Sequence, residues 1–256
     1  MKILAFIAAL AFSTAVYGQE LQTDIPGKAY SPFTVPAGTV QIETDLGNYS
    51  QTEYGNYSQR YFQTVDPTIK YGITNNFDIE AAVGGYVNTW TRTGNTTVRL
   101  SGFGDITPRV RWMFLNEDNL TVGVIVGVKI PTASTGIGNG QVEYNLILPI
   151  QYQLPSDFTL QLSPEIDVLN NATGTGKQFN YVYDVSLGHP IYGNLSGYVE
   201  FNGNHTTDAH SYDTYSIDTG VEYLLTPTSA VTASVYTGLN QYTPRFATIL
   251  SVAKRF

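Results

Sequence analysis

From Val142 to Leu154 one residue in two is apolar. Val142, Tyr144, Leu146, Leu148, Ile150, Tyr152 and Leu154 alternate with Glu143, Asn145, Ile147, Pro149, Gln151 and Gln153. After Pro155-Ser156-Asp157 the alternation restarts. Phe158, Leu160, Leu162, Pro164, Ile166 and Val168 now alternate with Thr159, Gln161, Ser163, Glu165 and Asp167. A period of two marks a strand, because successive side chains point to opposite faces. Strands in soluble sheets run nearer about five or six residues. A tilted strand that crosses a bilayer needs roughly ten. The pattern predicts a membrane-crossing hairpin, with its apolar face to lipid and its polar face to a lumen.

Composition agrees. Charged residues make up 13% of the chain and hydrophobic ones 42%. That is too polar for helical spans but suits a barrel whose strands alternate between lipid and water. Tyrosine, at 19 residues, suits the membrane interface, since its ring is apolar and its tip polar. The 256 residues are enough for one large β domain. A net charge of −8 argues against a nucleic-acid partner, which wants a basic surface.

The amino end reads as a secretory signal peptide over residues 1–18. Lys2 supplies the positive region and Ile3 to Phe12 the apolar run. Val16 and Gly18 are small enough for cleavage after Gly18. No Cys occurs, which removes a lipid anchor, disulfides and thiolate metal sites. Residues 19–38, with Pro26, Gly27, Pro32, Pro36 and Gly38, read as an irregular segment.

From Thr39 the pattern predicts an all-β fold over 39–256, a transmembrane antiparallel up-and-down barrel of about 12 strands. The predicted strands are 39–50, 58–73, 77–90, 103–115, 120–131, 141–154, 158–170, 179–192, 195–205, 212–225, 230–240 and 245–256. Tight turns are expected at 74–76, 116–119, 155–157, 193–194 and 226–229. Longer outer loops are expected at 51–57, 91–102, 132–140, 171–178 and 206–211, with a short connection near Tyr242-Thr243-Pro244. The chain ends Lys254-Arg255-Phe256. A terminal Phe256 resembles the signal read by the outer-membrane assembly machinery. Lys254 shares the outward parity and is expected to snorkel to the interface.

Two segments carry a resemblance. Ser31-Pro32-Phe33-Thr34-Val35-Pro36-Ala37-Gly38-Thr39-Val40-Gln41-Ile42-Glu43 resembles the opening of the meta-pathway of phenol degradation family of outer-membrane transporters. Gly102-Phe103-Gly104-Asp105-Ile106-Thr107, leading into Arg109-Val110-Arg111, resembles its second recurring segment, and Lys129-Ile130-Pro131-Thr132 also fits. Ile25 follows Thr23-Asp24 where the family pattern has Arg, and Tyr30 precedes Ser31 where it has an acidic residue. The resemblance implies an outer-membrane barrel passing small solutes, aromatic or hydrophobic compounds among them.

Candidate functional residues are those at inward parity. Pairing across the turns sets Lys70 opposite Glu80 and makes an Asp105–Lys129–Glu143 ladder near the outer mouth. Arg109 and Arg111 project into the same sector, with Gly123 and Gly127 leaving them room. Glu165, Asp167, Asp184, Glu200, Asp218 and Glu222 form an acidic wall on the later strands. A basic wall facing an acidic one would orient polar solutes in a pore. Paired charges that merely fill a small barrel are the competing reading.

Catalysis is not expected. His189 shares lipid-facing parity, and His205 and His210 flank an outer loop with Asp208 and Asp213. No Ser–His pair stands out for acyl chemistry. The sequence implies neither cofactor nor metal. The reading is a monomeric outer-membrane channel for passive uptake of small solutes. The alternatives are a closed barrel with a structural, adhesive or receptor role, and a barrel enzyme acting on lipid.

Overall fold

In the computed structural model, residues 21–25 and 27–256 are described. The expected signal peptide, 1–18, lies outside them. The alternating runs become strands because lipid on one side and a polar lumen on the other reward opposite faces differently. Sixteen segments form: β1 (Val40–Tyr54), β2 (Tyr57–Thr64), β3 (Asp66–Thr74), β4 (Phe77–Val83), β5 (Tyr86–Thr93), β6 (Thr96–Phe103), β7 (Ile106–Glu117) and β8 (Leu120–Lys129). There follow β9 (Glu143–Ile147), β10 (Ile150–Gln153), β11 (Thr159–Asn170), β12 (Lys177–Tyr192), β13 (Leu195–Thr206), β14 (Thr214–Thr226), β15 (Ser229–Gly238) and β16 (Phe246–Arg255).

The sixteen segments make twelve staves, because four staves are broken in two. β2 and β3 are separated at Val65, whose φ of 51° is unusual for a β-branched residue. β4 and β5 part at Gly84-Gly85, and β6 and β7 at Gly104-Asp105. There the two backbones cross so closely that a Cβ on Gly84 would strike the Gly104 Cα. β9 and β10 part at Leu148-Pro149, where proline has no N–H for the ladder. All strand pairings are antiparallel, and β1 pairs β16 from Gln41↔Arg255 to Gln51↔Phe246. The sheet thus closes into a twelve-stave barrel, and closure leaves no edge within the wall. The outer face is apolar, with Trp112, Phe114, Leu146, Tyr181, Val221 and Leu250 exposed.

Three expected connections are corrected. The predicted loops 51–57 and 91–102 are strands that run on to two-residue turns at Gly55-Asn56 and Gly94-Asn95. Both glycines take positive φ, 56° and 59°, as tight hairpins demand. Polar Thr, Ser and Gln residues hid these strands, since above the membrane neither face needs to be apolar. The connection near Tyr242 is not short but spans 239–245. Lys254 faces outward as expected, and its Nζ donates to Thr228 Oγ1 at 2.9 Å at the turn end.

Candidate functional site

The lumen is occupied by the chain's own amino-terminal segment. Its described residues, 21–25 and 27–38, contain almost no regular structure. Leu21 packs near Ala230 and Ala253, at the end of the barrel that carries the tight turns. The segment rises into the lumen and returns to that end, where Gly38 N–H donates to the Gly72 carbonyl at 2.8 Å. Two bare glycines admit it. A Cβ on Gly72 would collide with the Pro36 carbonyl, and one on Gly123 would lie 3.0 Å from the Pro32 carbonyl.

The segment carries one charge for each wall. Asp24 takes the Arg111 guanidinium (Nη2–Oδ2 2.6 Å) and the Lys70 ammonium (2.5 Å). Lys70 also meets Glu43 at 2.5 Å, and Arg111 meets Glu80 at 2.8 Å. Arg111, Lys70, Glu43 and Glu80 are all buried. Burial by itself would raise the Asp24 carboxyl, but Arg111 and Lys70 outweigh it and hold the group well below the usual carboxylate range. On the far wall, Lys28 Nζ lies 3.4 Å from Asp218 and donates to Ser216 Oγ at 2.8 Å. Glu200 accepts the backbone N–H groups of Lys28 (2.7 Å) and Ala29 (3.0 Å).

Further contacts complete the seat. Tyr30 N–H donates to Ser163 Oγ at 2.8 Å, and the Tyr30 ring lies 5.3 Å from the Arg109 guanidinium. Val35 N–H donates to Asp78 at 2.9 Å. Arg111 Nη1 donates to the Ser31 carbonyl at 2.5 Å. Thr23 Oγ1 donates to Glu222 at 3.0 Å.

The segment does not fill the barrel. On its turn side lies a cavity of about 520 Å³ edged by Gln151, Gln161, Ser186, Tyr198, Glu200 and Glu222. A second, of about 500 Å³, is edged by Asp45, Asp66, Arg109, Glu165 and Asp184. Asp24, Ile25 and Gly27 border both, so this stretch of backbone stands between them.

The inward residues foreseen from parity fall into three groups. Asp105, Lys129 and Glu143 come together, with Lys129 Nζ 3.4 Å from Asp105 and 2.6 Å from Glu143. Lys70 is opposite Glu80 in register, and Arg109 is opposite Gly127. Glu165 accepts from Asn145 (3.1 Å) and Asp184 from Asn202 (2.5 Å), while Asp167 lies opposite Asn145 and Asn180. Arg111, Glu200, Asp218 and Glu222 instead hold the inserted segment. The two charged walls therefore do not face each other across open water. Gly123 makes room for Pro32, not for an arginine, and the buried Ile125 lies opposite Arg111.

Sequence reasoning missed Asp24, Lys28 and Tyr30 as functional positions. The available signal was two opposite charges inside a Pro- and Gly-rich stretch with no strand of its own. His205 and His210 lie at the outer loops, away from both cavities, and His189 stands at the rim of the turn-side cavity. His189 contacts the Ser156 carbonyl at 3.1 Å, His205 pairs with Asp213 at 2.8 Å and His210 with Asp208 at 3.3 Å. Among the described residues no cluster of His, Asp and Glu is arranged to hold a metal.

A family model described as "Putative MetA-pathway of phenol degradation" matches residues 23–256. No curated protein matches the sequence. Among solved structures, an outer-membrane channel from Pseudomonas putida F1 is similar with a TM-score of 0.67 at 15% identity, covering 90% of this chain and 99% of that one. The β domain of the Bordetella autotransporter BrkA gives 0.60 at 10% identity, covering 86% and 100%. The NanC porin gives 0.54 at 9% identity, covering 84% and 98%. At these identities the likeness is one of fold.

Proposed function

Since the chain belongs to the family described as the MetA-pathway of phenol degradation, we propose that it is an outer-membrane channel for the passive uptake of small solutes, aromatic and hydrophobic compounds among them. The family name and the likeness of its fold to an outer-membrane channel and a porin support this reading. The observation that carries it is the inserted segment with a cavity on either side. The barrier between the two cavities is a piece of irregular backbone held by side-chain contacts, tethered to the wall at Val40. It is not part of the wall. Withdrawing residues 24–30 toward the turn end would join the cavities without opening any strand pair.

In the joined lumen, Arg109, Glu165 and Asp184 would line the outer cavity and Glu200 and Glu222 the inner one. Asp105, Lys129 and Glu143 would stand at the outer mouth, with Asp167 beneath them. Arg111 and Asp218 act as anchors for the segment. The protein works as a monomer and without chemistry on its solute. Phe256, whose N–H donates to the Val40 carbonyl at 2.8 Å beside the closing β1–β16 seam, is the feature offered to the assembly machinery.

Refolded full-length protein in planar bilayers should give a small, intermittent conductance, and its vesicles should swell in small neutral solutes. Protein that migrates as a folded, heat-modifiable barrel yet neither conducts nor swells vesicles would support the closed-barrel reading instead.

A further inference from the structure

We propose that the outward face of the β1–β2–β5–β6 extension binds the phosphate-bearing headgroup of an outer-leaflet lipid through Arg60, Arg92 and Arg99. Three of the seven arginines of this acidic chain meet on that face. The ladder sets Arg60 opposite Trp90 and Trp90 opposite Arg99, with Arg92 two residues beyond Trp90 on the same face. Cross-strand neighbours on one face stand about 5 Å apart. The three arginine side chains therefore leave the backbone around Trp90, within a patch the width of a headgroup.

All three arginines are exposed. Among the described residues none of them has a carboxylate within ion-pair distance. Glu53, a carboxylate of the same face, is engaged elsewhere: it accepts from Gln51 Nε2 at 2.6 Å and lies 3.9 Å from Arg245. Like charges are gathered here at a cost, and no carboxylate among the described residues offsets it.

Height in the membrane selects the ligand. On the β2–β3 stave the outward residues Phe62, Ile69, Tyr71 and Ile73 are exposed and apolar, as are Phe103, Val110, Trp112 and Phe114 on the β6–β7 stave. Each run covers twelve residues, and its eleven steps make about 28 Å of membrane normal at roughly 3.3 Å per step and a tilt near 40°. That is the height of the apolar band of such a barrel. Arg60 and Arg99 lie two and four residues past its upper edge, about 5–10 Å beyond. Tyr86 and Phe103, in edge-to-face contact at 5.2 Å, mark the aromatic girdle just below. Cations immediately above a girdle sit at the depth of lipid phosphates. A soluble protein partner would not select that depth.

β6 adds a reason for the face to be open. It pairs β5 alone, so Arg99 stands on a strand whose far side meets no other strand, only the 132–140 loop at Phe103 and Leu100. A charged residue on such an edge also blocks pairing with another chain.

Trp90 and Trp112 are the only tryptophans, so Trp112→Phe makes Trp90 a reporter within the patch. This single-tryptophan protein, in uncharged detergent micelles, is titrated with lipid A bearing two phosphates, with the same lipid dephosphorylated, and with inorganic phosphate. Trp90 emission should respond saturably to the phosphorylated lipid. Adding R60Q, R92Q and R99Q should raise the half-saturating concentration by more than about tenfold, with heat-modifiability unchanged. An unaltered midpoint in that variant overturns the proposal. So does an equal response to the dephosphorylated lipid, or saturation by inorganic phosphate at the same concentration.

Discussion

Asp24 and Arg111 meet through a two-point contact, Nη1 to Oδ1 at 3.0 Å and Nη2 to Oδ2 at 2.6 Å. The pair joins the irregular segment to the β7 stave inside the barrel. Bidentate geometry fixes orientation as well as distance. It is the strongest single tie between the segment and the wall, and the first consequence concerns its loss.

Asp24→Asn should loosen the segment. It leaves Lys70 with Glu43 and Arg111 with Glu80, so the cost is at the low end for a broken buried pair, about 3 kcal/mol. The barrel does not depend on the segment for its ladder, so heat-modifiability should persist. Open time in planar bilayers should rise at least several-fold. Unchanged gating in the folded variant would remove Asp24 from the barrier.

Fixing the segment should have the opposite effect. The chain has no Cys, so Tyr30→Cys with Ser163→Cys introduces a unique pair where the Tyr30 backbone touches Ser163. Oxidation should lower conductance and reduction should restore it. Equal conductance in both redox states, with the crosslink confirmed by mass, would show that solutes bypass residues 24–30.

The two faces of one stave should differ in their tolerance of charge. Leu148 is exposed on the outer surface and Gln151 borders the inner cavity. Leu148→Arg should destabilise the barrel by roughly 2–4 kcal/mol. Gln151→Arg has water and space before it and should cost well under half of that. Denaturant titrations in lipid vesicles give both values, and equal losses would contradict the lumenal placement of Gln151.

The 207–213 loop supplies a pH test away from the membrane. Backbone N–H groups of Ala172 and His210 hold the Asp208 carboxyl below its ordinary value, and the His205 ring with the Thr206 N–H does the same for Asp213. A lowered carboxylate stabilises the fold above its unfolded pKa, and that contribution fades as pH falls through the folded one. The loop should stay ordered through pH 5 and loosen only in stronger acid. Carboxyl carbon shifts should titrate below pH 3.8 at both residues, and a midpoint at or above that value would show the contacts absent in solution.

Much of the wall was legible in the chain itself. A period of two maintained over strand after strand places Leu146 outside and Asn145 inside whatever the neighbours are, because the pleat alone sets the alternation. Pairing across the turns and across the 132–140 loop then sets register, which is why Lys129 could be set between Asp105 and Glu143, and Lys70 opposite Glu80. The strand segments above the membrane within 51–57 and 91–102 escaped notice. Around Tyr54 and Thr96 no lipid imposes an apolar face, and Arg60, Trp90 and Arg99 come together only through the pairing of three hairpin arms.

The path of residues 21–38 was not legible, for a different reason. An irregular segment has no periodicity to report, and its position depends on which distant groups are left without partners once the barrel closes. Asp24 is placed by Arg111 and Lys70, on β7 and β3, and Lys28 by Asp218 on β14. Sequence determined the twelve staves and their two faces, since those follow from local alternation and from lipid. Only the tertiary structure decided that the barrel is occupied, because that depends on charges brought together by closure across the whole circumference.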